Sequence, residues 1–299
     1  MVFFLVDVIY MYTMILIIYY LLVCVHSLKQ LSFSGGGSFG AIEIGIIKKI
    51  VETNSDINYD LYTGISAGAL NAGFLSYYSN IETGIKTGEL IYSSLENNMV
   101  YKLWPYTGIS LLNSQPLNNT LTSIISNFPK ESVVSTLIGA TNMYSGKLDI
   151  YNFNDQNIDN RIRLLMASSA IPGIFPPINF HNQLYADGGT LSNELLQVQH
   201  DNDYLNITYI TPYEDYIYNS TPIINLKDML LRTAQILLSS YNNPLVIVNQ
   251  NCNDPIGEIN KYYVPSNALI NYDMMDFNNG KELIDIGYRN VVHKKYRLC

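Results

Sequence analysis

The pentapeptide Gly64-Ile65-Ser66-Ala67-Gly68 constrains this chain more than any other feature of its sequence. A serine with glycines two residues before and two residues after it is typical of a sharp strand-to-helix turn, because larger side chains would block the turn. The turn exposes the serine hydroxyl at the start of a helix, whose positive end favours a developing negative charge. The pattern therefore predicts a hydrolase in which Ser66 is the nucleophile and Gly64 and Gly68 permit the turn.

The segments around this pentapeptide predict alternating strands and helices. Residues 31–34 alternate like a short strand, and an amphipathic helix is expected over residues 41–51. A second strand is expected over residues 59–63, and a helix of small residues over 67–73. This order predicts two parallel strands joined by a crossover, and therefore an α/β fold.

The rest of the chain predicts further elements of the same domain. Expected helices cover 84–97, 116–127, 161–169, 226–241 and 281–293, and expected strands cover 132–141, 183–186 and 203–211. Residues 80–130 show no alternation typical of strands and are interpreted as a helical insertion near the site, and the prolines between 171 and 177 forbid regular structure. Because no repeat or linker divides the chain, we expect a catalytic core over 28–200 and its continuation over 201–299.

Composition excludes several classes of protein. Only 14% of the 299 residues are charged, the net charge is −8, and no basic run occurs, which argues against nucleic acid as a partner. The three cysteines, Cys24, Cys252 and Cys299, have neither the spacing of a zinc site nor an even count. Neither a metal site nor a disulfide framework is predicted.

Residues 1–27 form a separate hydrophobic segment. From Val8 to Val25 nothing is charged, which is long enough to cross a hydrocarbon core of roughly 30 Å as a helix. A cleaved signal peptide is the second interpretation, but Asp7 stands where a basic residue is expected and no small-residue cleavage site follows. A buried or interfacial helix is the third. We expect a single-pass membrane anchor.

The run Gly35-Gly36-Gly37-Ser38-Phe39-Gly40 has two interpretations. Successive residues without Cβ let backbone N–H groups approach a charged oxygen, which predicts an oxyanion hole built from Gly35, Gly36 and Gly37, with Gly40 completing the motif. The run also spells GxGxxG, the pattern of a dinucleotide-binding loop. We favour the oxyanion hole because no acidic residue closes a second strand about twenty residues later, as a ribose site requires.

The choice of a base for Ser66 separates two kinds of hydrolase. A catalytic triad needs a late histidine, and the chain has His26, His181, His200 and His293. His26 lies beside the apolar segment, His181 lies at an expected turn, and His293 lies in the expected last helix beside two lysines. None is well placed, although a histidine-dependent hydrolase stays an alternative.

Asp187 is the better candidate for the base. It ends an expected strand, and Gly188 and Gly189 after it allow its carboxylate to approach a partner closely. A partly desolvated carboxylate can deprotonate a serine directly when it lies within hydrogen-bond distance. An ordinary Asp-Gly-Gly turn is the alternative interpretation.

Four motifs in order resemble the signature of the patatin-like phospholipases. They are Gly35-Gly36-Gly37-Ser38-Phe39-Gly40, Gly64-Ile65-Ser66-Ala67-Gly68, Ala167-Ser168-Ser169-Ala170 with Phe175-Pro176-Pro177, and Asp187-Gly188-Gly189 with Asn193. The resemblance implies a three-layer α/β/α fold with a mainly parallel sheet, a dyad of Ser66 and Asp187 without histidine, and an oxyanion hole in the first glycine run. It also implies no cofactor, no metal, and hydrolysis of fatty-acyl esters in phospholipids or neutral lipids.

Two positions depart from the family pattern. Phe39 stands where the family usually has Arg or Lys, and Leu195 stands where it often has Pro. The missing cation predicts a weaker oxyanion loop or weaker handling of anionic headgroups.

These observations together predict a membrane-tethered serine hydrolase that acts on lipids at a membrane surface. The content of 25 tyrosines suits a water–lipid boundary. The alternative from another class is a catalytically inactive, membrane-associated scaffold that retains the patatin-like fold.

Overall fold

The computed structural model describes residues 27–54, 57–103, 108–196, 205–214 and 257–298, with short stretches between 223 and 236. Residues 1–26 of the expected anchor, and most of the helix expected over 226–241, lie outside the described residues. Among the residues that are described, none of the helices combines the length and the hydrophobicity that crossing a membrane requires.

A central β-sheet organises the described part of the chain. Strands β3 (Lys102–Leu103) and β4 (Leu112–Asn113) form a separate hairpin. The strands of the central sheet are β1 (Leu28–Phe33), β2 (Leu61–Ile65), β5 (Ser135–Asn142), β6 (Lys147–Asn152), β7 (Ile178–Phe180), β8 (Gln183–Asp187), β9 (Leu205–Tyr213), β10 (Gly257–Val264) and β11 (Val292–Leu298). The nine strands of the sheet follow the order β11-β10-β9-β1-β2-β5-β8-β7, with β6 paired to β5.

The middle of the sheet is parallel. Strands β10, β9, β1, β2 and β5 run in one direction. Strand β11 pairs antiparallel with β10, strands β6 and β8 pair antiparallel with β5, and β7 pairs antiparallel with β8. The expected α/β fold with a mainly parallel sheet is therefore confirmed. Strands β9, β10 and β11, from the C-terminal third of the chain, pair into the same sheet as β1.

Helices flank the sheet. They are α1 (Gly40–Thr53), α2 (Ala67–Leu75), α3 (Ile81–Ser94), α4 (Asn97–Val100), α5 (Gln115–Ser126), α6 (Ile158–Ser168) and α7 (Gly280–Arg289). Helix α1 buries Ile42, Ile46 and Ile50, which recur at helical spacing and face the core. The helices expected near 41–51, 67–73, 84–97, 116–127 and 161–169 are confirmed with shifted boundaries.

The C-terminal end differs from the expectation. The last helix ends at Arg289, and His293 lies in β11, where its ring stacks on Tyr262 of β10 with 4.4 Å between ring centroids. Strand β11 is an edge strand that carries Lys294 and Lys295, so it lacks the apolar alternation that marks a half-buried strand. The prediction of a helix as far as His293 was wrong for this reason.

Five other strands were also missed. Strands β6, β7 and β10 were not expected, and the β3–β4 hairpin interrupts the region interpreted as helical. Strands β3, β4 and β7 contain only two or three residues, too few to show an alternating pattern.

Candidate active site

Ser66 occupies a strained turn between β2 and α2. Its φ of 56° and ψ of −125° lie outside the regions that side chains other than glycine favour. A Cβ at Gly64 would overlap the carbonyl of Gly68, and a Cβ at Gly68 would overlap the carbonyl of Ser34. Both glycines are therefore needed for the strand, the turn and the helix to pack this closely.

Strand β5 brings Ser66 and Asp187 together. Ile65, the last residue of β2, pairs with Gly139, and Asp187, the last residue of β8, pairs with the next residue of β5, Ala140. The two strands therefore end at the same place along β5, although 121 residues of chain separate the two side chains. The Ser66 hydroxyl donates to Oδ2 of Asp187 at 2.7 Å.

The carboxyl group of Asp187 is buried and held in place. It is 1% exposed, and its Oδ1 accepts from the N–H of Gly189 at 2.8 Å. Burial raises the pKa of Asp187 to about 7, against the opposing effect of the hydrogen bonds from Ser66 and Gly189. A base with a pKa near neutrality suits general-base catalysis at ordinary pH.

Ser168 supports the backbone of the turn. The N–H of Ser66 donates to the hydroxyl of Ser168 at 2.9 Å, and that hydroxyl donates to the carbonyl of Gly139 at 2.7 Å. Ser168 ends helix α6, just before the proline-containing segment. The sequence showed Ser168 within a family motif but gave no sign of this contact.

The glycine run lies directly against Ser66. The N–H of Gly35 donates to Oδ1 of Asn193 at 2.9 Å, and Nδ2 of Asn193 donates back to the carbonyl of Gly35 at 3.1 Å. Among the described residues, no hydrogen bond uses the N–H of Gly36 or Gly37. Gly35, one of the three expected oxyanion donors, therefore has its N–H engaged, which leaves two candidates.

Leu195 anchors the segment that follows Asp187. Its carbonyl accepts from the hydroxyl of Thr63 at 2.7 Å, the amide of Gln30 at 2.9 Å and the hydroxyl of Ser32 at 3.2 Å. These three donors come from β1 and β2, so they hold this segment beside the strands that precede the glycine run and Ser66. The departure from proline at position 195 leaves this carbonyl contact intact.

An apolar cavity opens at Ser66 and Gly37. Ala67, Leu70 and Phe74 line one wall at a spacing that places them on a single face of α2, so the cavity follows this helix for about 10 Å. Much of the remaining wall comes from one side of α5 and from residues of three other segments, namely Leu117, Thr120, Leu121 and Ile124 of α5 together with Leu95, Val100, Ile171 and Phe175. Its lining is predominantly aliphatic and aromatic, which suits a hydrocarbon chain.

The described histidines take no part in this arrangement. His181 contacts Gln156 and His293 contacts Asn260, and neither makes a described hydrogen bond to Ser66 or Asp187. His26 and His200 lie outside the described residues. In the described part of the chain, no group of three or more His, Cys, Asp or Glu side chains could hold a metal ion.

Phe39 faces the protein core. It is fully buried and packs edge-to-face on Tyr213, with ring centroids 6.1 Å apart, and it does not line the cavity. A cation at this position would be buried here, so the hydrophobic packing accounts for the residue type.

Comparison with known proteins places the chain in a family. The model of the family described as patatin-like phospholipase matches residues 31–198. Two similar solved structures are VipD from Legionella pneumophila and the heterodimeric ExoU–SpcU complex from the type III secretion system of Pseudomonas aeruginosa. VipD is 13% identical with a TM-score of 0.42, and the match covers 89% of this chain and 67% of VipD.

The matched chain of the ExoU–SpcU complex is 10% identical with a TM-score of 0.32, and the match covers 91% of this chain and 54% of that chain. This chain thus spans about half the length of that relative. No curated protein matches the sequence. Because the family model covers more than half of its residues, the chain belongs to the patatin-like phospholipase family, and it is a hydrolase.

Proposed function

We propose that this protein is a serine hydrolase that cleaves fatty-acyl ester bonds of phospholipids or related lipids, with Ser66 as nucleophile and Asp187 as base. The observation that carries the proposal is the 2.7 Å hydrogen bond between these side chains, beside an apolar cavity that Ser66 lines. Such a pair needs no third residue, because the carboxylate itself lies within reach of the hydroxyl proton.

Acylation follows from this geometry. Ser66 Oγ attacks the ester carbonyl carbon while its proton moves to Oδ2 of Asp187. The carbonyl electrons move onto the substrate oxygen, which the N–H groups of Gly36 and Gly37 stabilise. Collapse of the tetrahedral intermediate breaks the ester bond, and the alcohol leaves with the proton held by Asp187.

Deacylation repeats these steps with water. Asp187 takes a proton from the water molecule as it attacks the acyl-enzyme, and the oxyanion is stabilised by the same donors. Collapse releases the fatty acid, and the proton returns to Ser66. The starting state is thereby restored without any change in oxidation state.

The cavity supports a fatty-acyl chain as the group that Ser66 receives. A chain lying along α2 would contact Leu70 and Phe74 and bury its methylenes at roughly 0.8 kcal/mol each. The membrane anchor expected over residues 1–27 would bring the enzyme to such lipids, and it stays a prediction.

Labelling with a fluorophosphonate probe tests the proposal. We expect the wild-type protein to be labelled and to release fatty acid from phospholipid vesicles, and Ser66→Ala to do neither. Ser94→Ala, at an exposed position in α3, is the matched control and should behave as wild type. A wild-type protein that is neither labelled nor hydrolytic would instead favour the inactive scaffold.

A further inference from the structure

A second buried carboxyl group lies beside the glycine run. Glu43, in α1, is 0% exposed. Its Oε1 accepts from the N–H of Ser34 at 3.0 Å and from the hydroxyl of Ser34 at 3.3 Å, and its Oε2 accepts from Nδ2 of Asn71 at 2.9 Å. Burial raises the pKa of Glu43 well above its usual value. A carboxyl group this costly to bury, and outside the reacting pair, calls for an explanation.

Asn71 extends this set of contacts to two more elements. Its Nδ2 also donates to the carbonyl of Gly40 at 3.0 Å, and its Oδ1 accepts from the hydroxyl of Tyr92 at 2.9 Å. Asn71 lies on α2, the helix that begins directly after Ser66, and Tyr92 lines the cavity. The contacts therefore join the end of β1, the start of α1, the helix of the nucleophile and a cavity wall.

The glycine run is held from two sides as a result. Glu43 binds Ser34, the residue before the run, and Asn193 binds both polar backbone groups of Gly35. The next two N–H groups, of Gly36 and Gly37, are the candidate oxyanion donors. Donors stabilise an oxyanion best when the fold keeps them in position before charge develops, and a fully satisfied buried network provides such rigidity.

We propose that Glu43 is a positioning residue that fixes the glycine run relative to the helix carrying Ser66, through its hydrogen bonds to Ser34 and Asn71. This inference rests on the proposed function. Glu43 does not touch the reacting atoms and acts only through these two neighbours. Its loss should therefore slow the chemical step more than it weakens substrate binding.

The chemistry of the contacts suggests a pair of variants. Each oxygen of Glu43 faces a group that donates, namely the N–H of Ser34 and Nδ2 of Asn71. In Glu43→Gln the new amide NH₂ must face one of these donors, so the network breaks with almost no change in side-chain size. In Asn71→Asp two carboxyl groups face each other. The double variant restores the contact between positions 43 and 71, because the amide at position 43 can then donate to the carboxylate at position 71, although the carbonyl of Gly40 still lacks its donor.

The test measures kcat and KM for a soluble p-nitrophenyl ester, and the rate of fluorophosphonate labelling, well below the unfolding temperature of each variant. Glu43→Gln and Asn71→Asp should each lower kcat about 10- to 100-fold with KM nearly unchanged. The double variant should regain at least several-fold in kcat. Glu52→Gln, an exposed change in the same helix α1, should match the wild type.

Different outcomes overturn different claims. A Glu43→Gln protein with wild-type kcat overturns the positioning role, and so does a double variant slower than both single variants. In either case, labelling of the wild-type protein leaves the proposed function standing. An unlabelled, inactive wild type overturns both. If Glu43→Gln fails to fold, Tyr92→Phe removes one outer hydrogen bond of the network and should still lower kcat several-fold, and an unchanged kcat there also overturns the proposal.

Discussion

At the scale of single residues, the base role proposed for Asp187 requires an ionised carboxylate, whereas its burial makes the ionised form less stable than the protonated form. Its folded-state pKa of about 7 lies above its ordinary value of 3.8, so the folded protein holds this proton more tightly than the unfolded chain. The resulting stabilisation is fully present below about pH 4 and is lost as the pH rises through about 7. At pH 8 the folded state therefore holds a buried, ionised carboxylate.

Asp187→Asn should for this reason be more stable and inactive at pH 8. The amide keeps the size of the side chain, can still accept from Gly189, and needs no ionisation, so we expect Tm to rise by several degrees at pH 8 and less at pH 5. Activity should fall at least 100-fold because the base is lost. Scanning calorimetry at both pH values checks this, with the exposed change Asp155→Asn as control. A lower Tm at pH 8 would contradict it.

The same carboxyl group predicts the pH dependence of catalysis. Asp187 accepts a proton only when it is ionised, so kcat/KM for a soluble ester should fall as the pH decreases through about 7. The profile between pH 5 and 9 should show one ascending limb and a plateau. A profile that is already flat at pH 5 would mean that the carboxyl group titrates as if it were exposed to solvent.

Ser66 and Asp187 were predictable from the sequence because each lies in a local pattern of glycines. The long-range contacts around them were not, although Ser168 and Asn193 stand in the motifs that carry the family resemblance. The contact between Ser66 and Ser168 spans 102 residues and that between Gly35 and Asn193 spans 158, and nothing in a single sequence shows that such distant residues meet. The engagement of the Gly35 N–H by Asn193 is the clearest example.

Helix α2 begins directly after Ser66, the proposed nucleophile, and should also limit the length of the acyl chain. Phe74 lies seven residues after Ala67 on the cavity-lining face, and its ring packs edge-to-face on Phe128, with centroids 5.7 Å apart. Phe74→Ala should lengthen the cavity and shift the preferred chain by about three carbons, given C–C bonds of about 1.5 Å. A series of p-nitrophenyl esters checks the shift.

The control for this variant lies in the same part of the core. Phe153 is fully buried and does not line the cavity, so Phe153→Leu should lower stability without changing the preferred chain length. If both variants change the preference equally, the effect comes from a loosened core, and the role assigned to Phe74 is wrong.

Most of the longer, buried elements were predictable, with strand β10 as the exception. The buried strands β1, β2 and β5 and the helices α1 and α2 were expected, α1 from its apolar residues at helical spacing and α2 from its small residues after the turn. The first two residues of β11 were taken for helix and the rest of the strand was missed, because its exposed lysines hide any alternation, while β7 is too short to carry a pattern. Neither error moved the predicted site, which depends on β1, β2 and β8.

At the scale of the whole molecule, the site lies far from the first residues that the structure describes. Strands β1 and β2 are parallel, and the glycine run and Ser66 both follow their carboxyl ends. Strand β1 begins at Leu28 and has 6 residues, so the site lies about 20 Å from the position where the chain enters the sheet. An anchor over residues 1–27 would therefore attach at the amino-terminal end of β1, whereas the site lies at the carboxyl ends of β1 and β2.

This geometry predicts that a tethered enzyme reaches lipids in a second membrane more easily than lipids in its own. Inserting a Gly/Ser linker of about twenty residues between Ser27 and Leu28, with an average span of roughly 25 Å, should raise hydrolysis of lipids in the host vesicle several-fold. The value of kcat/KM for a soluble ester should stay unchanged. Vesicles with differently labelled lipids distinguish the two sources. If the protein without the linker hydrolyses host-vesicle lipids faster than lipids of the second vesicle, the predicted attachment is wrong, because the anchor and the site would then not lie about 20 Å apart.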